Sequence, residues 1–498
     1  MKFGFSSSPA DSLACDLFAL PVFDDQLLAG DVFTHLDRAL AGLLGRLIDE
    51  EQFKGKKSQT LAVHTHGKIG PQRIVLLGAG PRASFDIAEV RHLAGRGARA
   101  AKNAGARRFA FGFGGIPTDE RSVQLATEGT ILGRYRFDRY LAEDAKKPDP
   151  LESITFSTDG AACQESWMTA VQRAEIVANA TARARDLVNE PAGLLTPRRL
   201  AEEAETLAKQ FSLEAKILGP TECRALGMGM FLAVAQGSDE EPRFIHLTYR
   251  PKGNPPKRIC LIGKGVTFDS GGLSLKPSAG MEDMKVDMSG AATVLNAITA
   301  LAQLGCPYEV HAIAACTENM PSGKSYKLGD VLRSMSGKTV EINNTDAEGR
   351  LTLGDAITYA VKLEPDELFD FATLTGACMV ALGPNIAGVM ANDQPLADRW
   401  LAACRQAGEE AWQLPLPERL KEQLKSEIAE MKNTGDRYGG AMTAGLFLKE
   451  FVGKTPWVHV DLAGPAHTDK EFGAIPKGGT GFGVAAIVEY LAPRASSS

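Results

Sequence analysis

Leu261-Ile262-Gly263-Lys264-Gly265-Val266-Thr267-Phe268-Asp269-Ser270-Gly271-Gly272 is an apolar strand running into a glycine-rich loop, and the run carries one lysine and one aspartate. Loops beyond the carboxyl ends of parallel strands are where α/β sheets bind ligands, so this stretch points both to a fold class and to the place of a site. Working outward from it, strands are predicted at Arg258–Ile262, Glu309–Ala315, Glu367–Leu374 and Trp457–Leu462, interleaved with helical patterns. Toward the start of the chain, Leu17–Phe23, Thr60–His64, Arg73–Leu77, Phe109–Phe113 and Ser153–Phe156 read as strands, and Asp31–Glu50 and Asp86–Lys102 as helices. Alternation of this kind implies two α/β domains with mainly parallel or mixed central sheets. A length of 498 residues exceeds what one core usually organises. From Glu165 to Val188 the pattern is helical without Gly or Pro, with Val171, Ala174, Val177, Ala178, Thr181, Ala184 and Val188 on one face. The expected organisation is therefore an N-terminal α/β domain over 1–160, a connecting helix over 161–188 and a C-terminal catalytic domain over 189–498. Thr196-Pro197 supplies the N-cap and first-turn proline of the helix that opens the last of these.

Composition narrows the function classes. Lysine and arginine total 55 against 61 aspartate and glutamate, a formal charge of -6, so the chain as a whole does not attract nucleic acid or anionic lipid. Locally, Arg91, Arg96, Arg99, Lys102, Arg107 and Arg108 concentrate positive charge in the first domain. Such a row offers phosphate contacts, which makes duplex DNA a candidate second partner; a solvated helix face is the other reading. Eight scattered cysteines without a CxxC pair read as reduced thiols. The first residues lack a signal-type apolar region and no window approaches the ~18 apolar residues of a membrane span, so a cytoplasmic address without membrane contact is expected. Leu76-Leu77-Gly78-Ala79-Gly80 lacks the third glycine and the acidic partner of a dinucleotide fingerprint and reads as a tight strand-to-helix turn. His64, His66 and His459 read as structural.

Three segments carry chemistry. Gly263-Lys264-Gly265 lacks the GxxxxGK[ST] pattern of a phosphate loop. In Met284-Lys285-Val286-Asp287-Met288-Ser289, Asp287 precedes a small-residue helix start, as a helix cap or as a ligand. In Asn344-Thr345-Asp346-Ala347-Glu348-Gly349-Arg350, two carboxylates and an arginine alternate; an extended chain sends all three to one side. Burying neighbouring carboxylates requires a cation, while an exposed acidic turn balanced by Arg350 is the alternative. Together Asp269, Asp287, Asp346 and Glu348 supply four oxygen donors that suit Mn, Mg or borderline Zn. Lys264 adds a nitrogen if its amine is neutral, and a neighbouring dication favours that state. Paired ions activate a bridging water and polarise a carbonyl, which points to hydrolysis.

These segments resemble the blocks of the leucine aminopeptidase family of two-metal cytosolic exopeptidases (peptidase family M17). Its NTDAEGRL signature is present as Asn344 to Leu351. Gly263-Lys264-Gly265, Thr267 to Gly272, Leu275-Lys276-Pro277 and Met284 to Met288 follow the family's order and spacing. The similarity runs from about Asn189 onward. The resemblance implies an aminopeptidase that prefers leucine and similar apolar N-terminal residues, with two divalent ions (Mn or Zn, with Mg as a further candidate) at Lys264, Asp269, Asp287, Asp346 and Glu348. It assigns Lys276 to the carbonyl and its oxyanion, Arg350 to a bicarbonate acting as general base, and Met284, Thr373, Leu374 and Gly376 to the first side-chain pocket. It also implies peptide substrates and a homohexamer.

Overall fold

A computed structural model describes residues 1–28, 30–146, 148–158 and 164–492. The residues on either side of the expected boundary at 160 lie outside that set. The chain forms two compact units: the first takes Met1–Asn179 together with Lys470–Pro476, and the second takes Ala180–Asp469 and the chain from Lys477 onward.

The first unit is built on a six-stranded sheet in the order β1 (Lys2–Ser6), β6 (Ser153–Ser157), β5 (Arg108–Gly112), β2 (Leu17–Phe23), β4 (Arg73–Gly80) and β3 (Thr60–His64). All pairings are parallel except that of β3 with β4. β2 is buried along its whole length, as a continuous apolar run in a sheet covered on both faces should be, whereas β3, at the edge, alternates exposed and buried residues. β1 is not among the expected strands; Phe3 and Phe5 fasten it to Phe156 with ring centroids 6.0 and 5.7 Å apart. The single helix expected over Asp31–Glu50 is two, Asp31–Ala39 and Leu43–Glu50. Ala41 and Gly42 between them have φ of 57° and 77°, and Asp37 Oδ1 accepts from the amides of Leu44 and Gly45 at 2.8 and 3.1 Å, restarting the chain as a new helix. Gly78 lies inside β4, whereas Gly80, with φ of 76°, ends the strand just before the short 3-10 helix Arg82–Ser84. A Cβ on Gly78 would stand 2.0 Å from the carbonyl oxygen of Lys56, so this glycine serves the close approach of the chain's own backbone.

The six basic residues of this unit are spread among separate partners. Arg91 Nε donates to Glu128 Oε2 at 2.9 Å, both side chains being buried. Arg96 donates to the Gly78 carbonyl and the Thr60 hydroxyl, Arg99 to the Gly473 carbonyl, and Lys102 to the Arg134 carbonyl. Arg107 pairs with Glu152 and Arg108 with Asp16. Of these side chains, Arg107 and Arg108 stay exposed at the surface. Arg91→Ala leaves the Glu128 carboxylate buried without its main cation, and removal of one partner of a buried pair costs about 3–5 kcal/mol. We expect a loss of that size in urea unfolding of the full chain, partly recovered when Glu128→Gln is added.

The second unit is built on an eight-stranded mixed sheet, in the order β15 (Ala411–Gln413), β14 (Ala387–Ala391), β17 (Trp457–Asp461), β13 (Glu367–Ala372), β9 (Arg258–Asp269), β10 (Glu309–Asn319), β8 (Arg243–Tyr249) and β7 (Glu214–Leu218). The central four, β17, β13, β9 and β10, are parallel, and antiparallel strands flank them. Their carboxyl ends bring Asp461, Ala372, Asp269 and Asn319 to one edge, with Asn319 in register with Asp269. A small sheet of β11 (Val331–Arg333), β12 (Thr339–Glu341) and β16 (Met431–Lys432) belongs to the same unit. The helix expected at Thr196-Pro197 starts there: Thr196 Oγ1 accepts from the Arg199 amide, and Pro197 opens the helix Pro197–Phe211.

Candidate metal centre

β9 delivers the first two groups, because its alternation carries Lys264 and then, past a bulge in its pairing with β10, Asp269 toward the carboxyl edge. The chain turns back at once, with the Lys276 amide donating to the Ser270 carbonyl at 2.9 Å, and this places Lys276 over Asp269. Asp287 lies on the short turn Met284–Met288 that leads into the helix Ser289–Gln303. Its carboxylate accepts from the Thr373 hydroxyl at 2.7 Å, so it is a member of the cluster and makes no capping bond.

The segment Asn344 to Arg350 is not extended, contrary to the alternation read from the sequence. Asn344 Oδ1 accepts from the Asp346 amide at 2.8 Å in a turn, and the helix Gly349–Val361 begins immediately after Glu348. Asp346 and Glu348 still converge, because the turn and the helix start aim both carboxylates inward. Gly349 permits this: a Cβ there would stand 2.5 Å from Lys264 Cε, so a larger residue would push the lysine from its place across the helix start.

The resulting cluster interleaves two lysines with four carboxylates. Lys264 Nζ lies 2.7 Å from Asp287 Oδ2 and 2.8 Å from Glu348 Oε1, and donates to the Thr373 carbonyl at 3.1 Å. Lys276 Nζ lies 2.9 Å from Asp269 Oδ2 and 2.5 Å from Asp346 Oδ1. Carboxylate oxygens of Asp269, Asp346 and Glu348 all lie within 4.8 Å of one another. Burial, followed by the charge of Asp269, pushes the Glu348 carboxyl up; burial chiefly raises Asp287 and Asp346 as well. Burial alone would lower the ammonium groups, but Asp287 and Glu348 hold Lys264, and Asp269 and Asp346 hold Lys276, above the ordinary lysine range. Arg350 is buried; desolvation lowers it to about 10 against the pull of Glu348 and Asp461, and its Nη1 donates to the Asn433 carbonyl at 2.7 Å while its Nε meets no acceptor.

Whether divalent ions suit these residues is decided by their spare capacity. Asp287 Oδ2, Asp346 Oδ1 and Glu348 Oε1 are buried, each against a lysine ammonium at 2.7, 2.5 and 2.8 Å, and the buried Glu348 Oε2 meets no donor. Two ammonium groups cannot balance four carboxylates. Buried carboxylates that outnumber their ammonium partners and so carry surplus negative charge fit hard divalent cations, and a deprotonated Lys264 keeps protons for the Thr373 carbonyl while freeing a lone pair.

Of the expected pocket residues, Thr373 is joined to the cluster through Asp287 and Lys264. Leu374 follows it with its amide donating to Asp461 Oδ1 at 3.2 Å, and Gly376 begins the helix Gly376–Leu382 with open space where a side chain would project. Met284 is half-buried at the start of the turn that carries Asp287 and makes no polar contact with the charged groups. Two supporting residues escape a reading of the sequence. Asn319 Nδ2 donates to Asp269 Oδ1 at 2.8 Å and to the Thr345 carbonyl at 3.0 Å, and the Tyr326 hydroxyl donates to the same carbonyl at 2.8 Å. The available signal is positional: Asn319 ends a parallel strand beside Asp269. His459 sits inside the core, with Nδ1 2.6 Å from Asp370 Oδ1, and the other oxygen of that aspartate accepts from Trp457 Nε1.

A mixed α/β unit with a buried carboxylate and lysine cluster at the carboxyl ends of its parallel strands defines a metallohydrolase. Residues 182–488 match the catalytic domain of the cytosol aminopeptidase family, and residues 19–144 match that family's N-terminal domain. The chain belongs to the cytosol aminopeptidase family and is a metal-dependent aminopeptidase. It is 44% identical over 488 residues to a probable cytosol aminopeptidase of Cyanothece sp., covering 98% of both chains, and 41% identical over 493 residues to one of Alkaliphilus metalliredigens, covering 98% and 99%. Among solved structures it is similar to a mutant tomato leucine aminopeptidase (TM-score 0.90, 36% identity, 99% of this chain and 96% of that one). It is also similar to the bottromycin maturation enzyme BotP in complex with Mn (TM-score 0.83, 36% identity, 96% and 98%).

Proposed function

We propose that this aminopeptidase releases leucine and similar apolar residues from the N-termini of peptides, with Lys264, Asp269, Asp287, Asp346 and Glu348 holding two divalent ions, Mn or Zn, with Mg as a further candidate. The observation that carries the reading is the set of buried carboxylate oxygens on Asp287, Asp346 and Glu348 whose nearest partners are two lysine ammonium groups, with Glu348 Oε2 meeting no donor. Ions bound there supply a water of lowered pKa and an electrophile for the scissile carbonyl. Lys276 keeps its proton between two carboxylates and presents a preorganised positive charge to the oxyanion that develops on that carbonyl. Arg350, whose buried Nε meets no acceptor, would hold bicarbonate, which when bound would supply a general base for the attacking water. Thr373, Leu374, Gly376 and Met284 shape the pocket for the first side chain. The choice of Mn is supported by BotP, whose similar structure is a complex with that metal, and a cytosolic address by the names of the relatives. No helix among the described residues is long and apolar enough to cross a membrane. A homohexamer belongs to the same reading. A second role in binding duplex DNA through Arg91, Arg96, Arg99, Lys102, Arg107 and Arg108 is separate from this reading; a salt-dependent shift of duplex DNA that is lost on reversing those charges would support it, and no shift at low salt sinks it.

The test is hydrolysis of amino-acid anilides by chelated protein and by the same protein reloaded with Mn or Zn. Chelation is expected to abolish activity and reloading to restore it. Leucine anilide should exceed alanine anilide in kcat/KM by at least about tenfold, since each buried methylene in an apolar pocket contributes about 1–3 kcal/mol. Full activity after chelation sinks the metal reading, and equal rates for the two anilides sink the leucine preference.

A further inference from the structure

β16 runs parallel to β12, with Val340 beside Met431 and Glu341 beside Lys432. The residue after β16 is Asn433, so it stands against the chain that leaves β12 toward Asp346. Its amide donates to the Glu341 carbonyl at 3.0 Å, and its side chain is fully buried. Side-chain Oδ1 accepts from the amides of Asn343 and Asn344 at 2.9 and 3.3 Å, and Nδ2 donates to the Asn344 carbonyl at 2.6 Å. The main-chain carbonyl of the same residue takes Arg350 Nη1 at 2.7 Å. One residue therefore grips the turn at its entry, through Asn343 and Asn344, and at its exit, through Arg350, with Asp346 and Glu348 between the two grips. The entry grip reaches the first carboxylate by one further bond, since Asn344 Oδ1 holds the Asp346 amide.

We infer that Asn433 is a positioning residue for the metal centre: its amide side chain and carbonyl fix the turn that aims Asp346, Glu348 and Arg350. The inference rests on the ligand set proposed above. Chemistry explains the residue type. The site needs an acceptor for two N–H groups and a donor for one carbonyl within the same short side chain; aspartate only accepts, and alanine does neither. Thr434, next in the chain, makes a useful contrast, because it is half-buried and bonds only to the Asn343 side chain, touching neither the backbone of the turn nor Arg350.

The experiment is calorimetric titration of the metal-free full-length chain with Mn, for wild type, Asn433→Ala, Asn433→Asp and Thr434→Ala, alongside kcat of each reloaded protein. Residues that orient metal ligands typically contribute about 10–100-fold in metal affinity. Both Asn433 variants should weaken Mn binding by a factor in that range, while Thr434→Ala binds as wild type does. If Asn433→Ala does not fold, the isosteric Asn433→Asp decides alone. Wild-type affinity in the Asn433 variants, even with a lowered melting temperature, overturns the inference and leaves Asn433 a purely structural residue. A wild-type chain that takes up no Mn overturns the ligand set, and this inference with it.

Discussion

Glu348→Ala should lower the rate of N-terminal residue release by about 10³-fold and, in the same protein, raise the melting temperature of the metal-free chain. Both effects follow from one feature: this carboxylate is buried, with Lys264 alone at 2.8 Å from its Oε1 and no donor at its Oε2. A Lewis-acid centre contributes several kcal/mol to the transition state, and about 4 kcal/mol corresponds to about 10³ in rate. Without metal, Glu348 is a buried acidic group beside Asp269 and Asp287, offset by Lys264 and by the nearby Arg350. Removing it leaves Lys264 paired with Asp287, so the metal-free fold gains while the metal-dependent gain in melting temperature disappears. This is the pattern of a site that stores strain for function. Glu348→Gln separates the causes, since it keeps the volume and removes the charge. A variant that keeps wild-type activity, or whose metal-free melting temperature falls below that of wild type, contradicts this account of Glu348.

How much of the molecule is legible in the sequence depends on whether the deciding interaction is local. The interiors of the central strands are legible, because uninterrupted apolar runs bounded by glycine mark them; β9 nevertheless extends to Asp269, past the predicted end at Ile262. The edge strand β7 and the N-terminal β1 are not, since β7 is largely exposed and β1 is held by aromatic packing with distant residues. Residue types at Asp346, Glu348 and Arg350 are plain, but their conformation is not. An extended chain and a turn followed by a helix fit the same seven letters, and the space at Gly349 is set by Lys264, far upstream. Asn319 and Asn433 have no local signal, for a single asparagine acquires a role only when a strand end delivers it beside another segment. The row of arginines shows the converse: charge is visible in a sequence, and its partners are not.

Lys276 and Lys264 look equivalent as letters and are not equivalent in space. Lys264 is enclosed, with a side chain 4% exposed, between Asp287 and Glu348, whereas the side chain of Lys276 is 18% exposed over Asp269 and Asp346. Only Lys276 combines a retained proton with access from outside the cluster, which suits a group that meets charge developing on substrate. Lys276→Met preserves length and apolar stem while deleting the charge. It should lower kcat by about 10²–10³, the usual loss when one preorganised donor to an oxyanion is removed. KM should change little, because the carbonyl of the bound substrate carries little of the charge that the lysine stabilises. Lys276→Arg should recover only part of the rate, since a planar guanidinium does not reproduce a point charge seated between two carboxylates. The discriminating measurement is Mn content. Lys276→Met should retain metal, whereas Lys264→Met should lose it; if Lys276→Met loses metal in proportion to activity, Lys276 organises the carboxylates and its charge does not act on the substrate.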